Sequence, residues 1–156
     1  MFTLSGAEVR AVLLGGFSAG TADLGAACLI YFTGPVVIMR AIASGLIGPA
    51  SFPGGAATAL LGLALQWLMS CLIAAIYVVA TLKWPTLRRR WIASGLAFGA
   101  VVFGVMNYMV VPLSAIGKFP AFTVTLFIAN LVAMLMFGLI IAFFARRSAL
   151  THPPGA

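Results

Sequence analysis

The sequence predicts an all-α membrane protein with four transmembrane helices and a short interfacial or re-entrant helix between the first two. Three observations carry that expectation. Of the 156 residues, 63% are hydrophobic and 7% are charged, against about 25% charged in a soluble domain, so the chain cannot assemble a water-facing surface. The apolar residues fall in four runs, each long enough for a hydrocarbon core of about 30 Å, which takes roughly 20 residues of helix. The basic residues fall in the short connections between those runs. A net charge of +7 would point to nucleic acid in a soluble domain. Here the cations sit where they act as topology signals, and nucleic acid is excluded as a partner in favour of the lipid bilayer.

The size fits one helical domain, residues 1–148, with a disordered tail at 149–156. A polar lead with Glu8 and Arg10 precedes the first span, about 10–32. Gly25-Ala26-Ala27-Cys28 has the look of a lipoprotein cleavage site, but Arg10 alone makes a weak n-region and Asp23 interrupts the h-region, so the segment is read as a retained span rather than a leader. Gly16, Gly20, Asp23 and Ala27 fall on one narrow face at 100° per residue. The Gly16-x-x-x-Gly20 spacing permits close helix packing, and Asp23 is expected to be buried in that seam. A carboxylate inside a span is costly and is by default a functional-site candidate.

Pro35 opens and Gly48-Pro49 stops a helix over about 35–47. At about 18 Å this helix is too short to span. Arg40 and Ser44 share its polar edge. One reading has Arg40 snorkelling from an interfacial helix; the other has it capping a cavity and pairing with Asp23. The second span, about 56–82, carries Thr58, Gly62, Gln66, Ser70, Tyr77 and Thr81 on one broad face. That stripe is read as interhelical hydrogen bonding, or as the wall of a hydrated path. The Lys83–Arg90 turn is an orientation signal rather than a headgroup site. The third span, about 91–113, repeats the packing spacing at Gly95 and Gly99, carries Asn107 on another face and closes at Pro112. The fourth, about 123–145, carries Asn130 and ends before Arg146-Arg147.

With both termini inside, the cytoplasmic side holds Arg10, Lys83, Arg88, Arg89, Arg90, Arg146 and Arg147, and the far side Arg40 and Lys118. This is the positive-inside pattern. Counted from the outer end of each span, Asp23 lies nine residues in, Gln66 ten, Asn107 six and Asn130 seven. Their depths are about 9 to 15 Å, so each span places a polar side chain in the outer half of the bilayer. The candidate intramembrane site is therefore Asp23, Arg40, Gln66, Ser70, Asn107 and Asn130, arranged as a chamber if the spans turn these residues toward one another. Cys28 and Cys71 lie at different depths and are expected to be free, buried thiols. With one histidine, His152, in the tail, no metal site and no cofactor is expected.

Ala19-Gly20-Thr21-Ala22-Asp23, Ile42-Ala43-Ser44-Gly45-Leu46-Ile47-Gly48, Gly54-Gly55, Asn107-Tyr108 and Val111-Pro112-Leu113-Ser114 together touch the first three spans. On these segments the chain resembles a group of small, uncharacterised bacterial inner-membrane proteins, distantly similar to the YagU-like family. The resemblance implies a four-helix protein of the bacterial cytoplasmic membrane and supplies no catalytic residues to carry over.

An enzyme is not expected, because the spans hold no histidine, no second acid and no nucleophile–base pair. Two functions remain. One is a conduit or binding site for a proton or small polar solute, built on Asp23 with Gln66 and Asn107; one protomer offers little room, so this reading expects a homo-oligomer. The other is a non-catalytic accessory or assembly subunit of a larger membrane complex, with Asp23 as a buried anchor and the glycine seams usable within the protomer or against partners.

Overall fold

The computed structural model describes residues 4–151, with side chains to Ser148. Among the described residues there is no strand, and four helices are long and apolar enough to cross a membrane. The chain is built as a multi-pass membrane protein. The first long helix, α1, runs Gly6–Ile30 and is followed by the short α2, Pro35–Ile47. The other three are α3 (Gly55–Lys83), α4 (Trp91–Leu113) and α5 (Val124–Thr151).

Helix boundaries follow local chemistry. The polar lead expected at residues 1–10 is helical from Gly6, because Ser5 and Glu8 form a reciprocal capping box. Ser5 Oγ accepts from the Glu8 N–H at 3.4 Å, and the Ser5 N–H donates to Glu8 Oε2 at 2.8 Å, satisfying donors that a helix start leaves orphaned. Pro35 sits in the first turn of α2, where its missing N–H costs nothing. In α4 the ladder widens to a π turn over Met106–Val110, where the Val111 N–H reaches the Met106 carbonyl. The next residue, Pro112, has no N–H for the regular i→i−4 bond. The fourth span continues past the expected end at 145, and residues 149–151 of the expected disordered tail are helical. The rest of that tail, with His152, lies outside the described residues.

The helices pack in the order α2, α3, α1, α5, α4, with α1 and α5 central. Small residues set these contacts. A Cβ on Gly16 would come within 2.6 Å of Cys71 Cα, and one on Gly20 within 2.5 Å of Ser70 Oγ. A Cβ on Gly95, on Gly99 or on Gly138 would press on the backbone of the facing helix across the α4–α5 contact. Gly62 meets the Met39 carbonyl of α2, about 10 Å along α3 from its first residue. The short helix thus lies down the side of α3, and the Ala115 N–H ties it to the loop after α4 through the Gly45 carbonyl at 2.9 Å.

The core gathers toward the end that carries the Lys83–Arg90 turn. Ala11, Ala74, Val78, Ile141, Ala142 and Ala145 are buried there with Tyr77. Tyr77 links α3 to α4: its hydroxyl is 2.7 Å from Ser94 Oγ and its ring 4.9 Å from that of Phe98. Outside this core the helices present large apolar side chains such as Leu60, Leu68, Val101 and Val132 to the surroundings, as suits hydrocarbon.

These contacts separate two glycines of one helix. Gly99 has backbone against it, whereas a Cβ on Gly104 would meet nothing within 4 Å. Gly99→Ala should destabilise the bundle by about 1–3 kcal/mol, and Gly104→Ala should stay within about 0.5 kcal/mol of the parent. Reversible unfolding in mixed micelles measures both, and equal shifts would contradict the α4–α5 seam.

Candidate functional site

The site is built where α1 crosses α3. Close approach at Gly16 and Gly20 brings the two backbones together, and the side chains one turn farther on meet as polar partners. Gln66 Nε2 donates to Asp23 Oδ2 at 2.9 Å and to the Gly20 carbonyl at 3.2 Å. Ser70, buried beside Gly20, donates back to the Gln66 carbonyl at 2.7 Å. On the flank of the same crossing, Trp67 Nε1 donates to Thr21 Oγ1 at 3.2 Å.

Asp23 is half-buried rather than enclosed, which corrects the expectation of a buried acid. Its place on α1 is turned about 60° from Gly20, toward the rim of the α1–α3 contact. There it lines a groove of about 410 Å³ whose other walls are Ala22, Ala26 and Leu29 of α1 and Ala129, Ala133 and Met136 of α5. The groove is lined by α1 and α5 alone. Among the described residues Oδ1 of Asp23 has no hydrogen-bond donor.

The remaining predicted site residues are placed elsewhere. Arg40 does not pair with Asp23: its Nε donates to the Gly55 carbonyl at 3.2 Å, because α2 lies along the start of α3. Ser44 on the same edge donates to its own helix at Ala41. Asn107 does not complete the site either: its Nδ2 is used on the Phe103 carbonyl of its own helix at 2.9 Å, beside the π turn. Asn130 joins α5 to α1 at a different point, donating to the Tyr31 hydroxyl at 3.2 Å and to the Leu126 carbonyl at 2.8 Å. The polar layer read from span depths is thus several separate contacts, and only Asp23, Gln66 and Ser70 share one. Cys28 and Cys71 are free, and both are half-buried rather than buried.

The polar stripe on α3 resolves the same way. Thr58 donates to the Ser51 carbonyl at 2.8 Å, Gln66 and Ser70 serve the α1 crossing, Tyr77 meets Ser94, and Thr81 Oγ1 accepts from Arg88 Nε at 2.9 Å. Of the stripe, Gln66 and Tyr77 bond across to neighbouring helices, while Ser70 bonds within α3 and Thr58 and Thr81 bond the segments that flank it. Among the polar contacts without a counterpart in the sequence reading, two tie distant segments together. Glu8 Oε1 lies 3.6 Å from Arg88 Nη2, joining the start of α1 to the basic turn. The Ser5-x-x-Glu8 capping pattern was available as a signal for Glu8. The Tyr31–Asn130 contact bridges residues 99 apart, and no local pattern encodes it.

The Asp23–Gln66 bond is open to a double-mutant cycle. Asp23→Ala, Gln66→Ala and the double variant should return a coupling of about 0.6–1.7 kcal/mol, the range for interhelical hydrogen bonds in membranes. A parallel cycle on Asp23 and Asn107 should return none. Equal couplings for the two pairs would mean that Asn107 belongs to the site.

No family model, curated protein or solved structure matches the chain.

Proposed function

We propose that the protein binds a proton or a small polar solute within the membrane at Asp23, with Gln66 as the group that holds the carboxyl in place, and that it is not an enzyme. The observation that carries this reading is the 2.9 Å bond from Gln66 Nε2 to Asp23 Oδ2 at the edge of the α1–α5 groove. An amide N–H can serve either an ionised carboxylate or the carbonyl oxygen of the neutral acid. The free Oδ1 is then the atom that gains or loses a proton, and the pair needs no rearrangement between the two states. A carboxyl inside a span is costly to place there and is by default a functional-site candidate.

The groove has walls from two helices only, so a second copy of the chain is the natural source of a third wall, and a homo-oligomer accompanies the proposal. The orientation that goes with it places both termini in the cytoplasm and the protein in a bacterial inner membrane, on the excess of basic residues at the Lys83–Arg90 end. The accessory-subunit reading rests on small size, the absence of chemistry and exposed close-packing faces, with glycine seams usable within the protomer or against partners. Gly16, Gly20, Gly95 and Gly99 all face neighbouring helices of the same chain, which favours the binding-site reading.

The test is proton or solute flux in vesicles reconstituted with the parent and with Asp23→Asn, paired with infrared detection of the protonated-carboxyl band. Asp23→Asn should abolish flux and remove a band that appears on acidification. Unchanged flux would end the proposal. Unchanged flux with a fall in abundance and a co-purifying polypeptide would put the accessory-subunit reading in its place.

A further inference from the structure

A second cavity, of about 630 Å³, lies at the end of the bundle that carries the Lys83–Arg90 turn, between the start of α1 and the end of α5. Its rim carries two guanidinium groups, Arg10 from α1 and Arg147 from α5. Below the rim its walls are apolar: Ala11 and Leu14 on one side and Phe144 on the other. Gly6 also lines it. Arg147 is steadied over the Phe143 ring at 5.7 Å.

Among the described residues no acidic side chain is paired with either cation. It has 9 lysines and arginines and 2 acidic side chains. One acid, Glu8, is paired with Arg88, and the other, Asp23, is bonded to Gln66 inside a span. No carboxylate side chain is left for Arg10 or Arg147. Two fixed positive charges at the edge of a bilayer, above an apolar cleft between two helices, match a molecule with an anionic head and a hydrocarbon tail. Basic pockets between transmembrane helices hold acidic headgroups on this principle, and a guanidinium fork suits a phosphate oxygen pair better than an ammonium does.

We infer that the cavity between α1 and α5 is a binding site for an anionic phospholipid, with the phosphodiester between Arg10 and Arg147 and an acyl chain laid against Leu14 and Phe144. The site is distinct from the Asp23 groove: the groove lies farther along α1, beyond Ala22, and shares no lining residue with it. The lipid would join the two central helices at the end where their charges would otherwise repel.

Native mass spectrometry of the purified full chain, after incubation with phosphatidylglycerol or with phosphatidylcholine and delipidation in detergent, tests the inference. The parent should retain one phosphatidylglycerol and no phosphatidylcholine. Each basic side chain beside an anionic headgroup is worth roughly fivefold in affinity, so Arg10→Gln/Arg147→Gln should bind about 25-fold more weakly. Arg89→Gln/Arg90→Gln, which removes the same charge from the basic turn, should bind as the parent does. Arg10→Lys/Arg147→Lys keeps the charge and should retain most of the binding, which separates loss of the site from loss of the fold. Equal loss in the two glutamine pairs would overturn the site in favour of diffuse charge attraction. Displacement of the lipid by millimolar inorganic phosphate would overturn it in favour of a free-anion site, and absence of retention by the parent would overturn it outright.

Discussion

The bundle depends on backbone-to-backbone contact at a few glycines. A bilayer supplies no hydrophobic force to hold apolar helices together, since lipid tails are as apolar as leucine. What remains is close packing, and close packing needs positions without a Cβ. Gly16 and Gly20 let α1 onto α3, Gly95, Gly99 and Gly138 let α4 onto α5, and Gly62 lets α2 onto α3. Each of these contacts shortens the distance between helix axes, and the shortening decides which polar side chains can reach across. Gln66 reaches Asp23 because Gly16, against the Cys71 backbone, and Gly20, against Ser70, have already brought the two helices together.

Packing also accounts for the unequal halves of the molecule. Toward the basic turn, the alanines and valine around Tyr77 fill the space between four helices, and the Tyr77–Ser94 bond closes α3 onto α4. Farther along, the α1–α5 contact leaves the groove that Asp23 lines. Its walls mix alanines with larger apolar side chains such as Leu29 and Met136. A carboxyl at such a place is reachable from the side of the bundle while its other oxygen is held by Gln66.

The fold was legible because hydropathy and length decide it: four long apolar runs can only be helices that satisfy their own backbone in lipid. The limits of α1 were less so. Ser5 and Glu8 were read as part of a polar lead, although their spacing is that of a capping box. The site was legible in part. Span depth correctly associates Asp23 with Gln66, because depth is a one-dimensional quantity that sequence supplies. Rotation about each helix axis is not supplied, and it is rotation that sends Asn107 back to Phe103 and Asn130 to Tyr31. The π turn over Met106–Val110 adds to the difficulty, since one widened turn shifts the register of every face beyond it. Arg40 could not be placed without knowing that α2 lies against Gly62 instead of above the spans.

The chain's two acids are held by different kinds of partner, and the difference bears on what each can do. Glu8 faces a guanidinium, and an arginine always carries charge. That contact gains most when the carboxyl is ionised, and it works as a fastener between α1 and the basic turn. Asp23 faces an uncharged amide. An amide N–H bonds a carboxylate oxygen and also the carbonyl oxygen of a neutral acid, so it positions the group without dictating its charge. Had Arg40 reached Asp23, the site would have been a second fastener. Because α2 directs Arg40 to the Gly55 carbonyl, the intramembrane acid has, among the described residues, a neutral partner on one oxygen and none on the other. That arrangement suits the proposed binding of a proton at Asp23, because an amide partner accommodates either charge state.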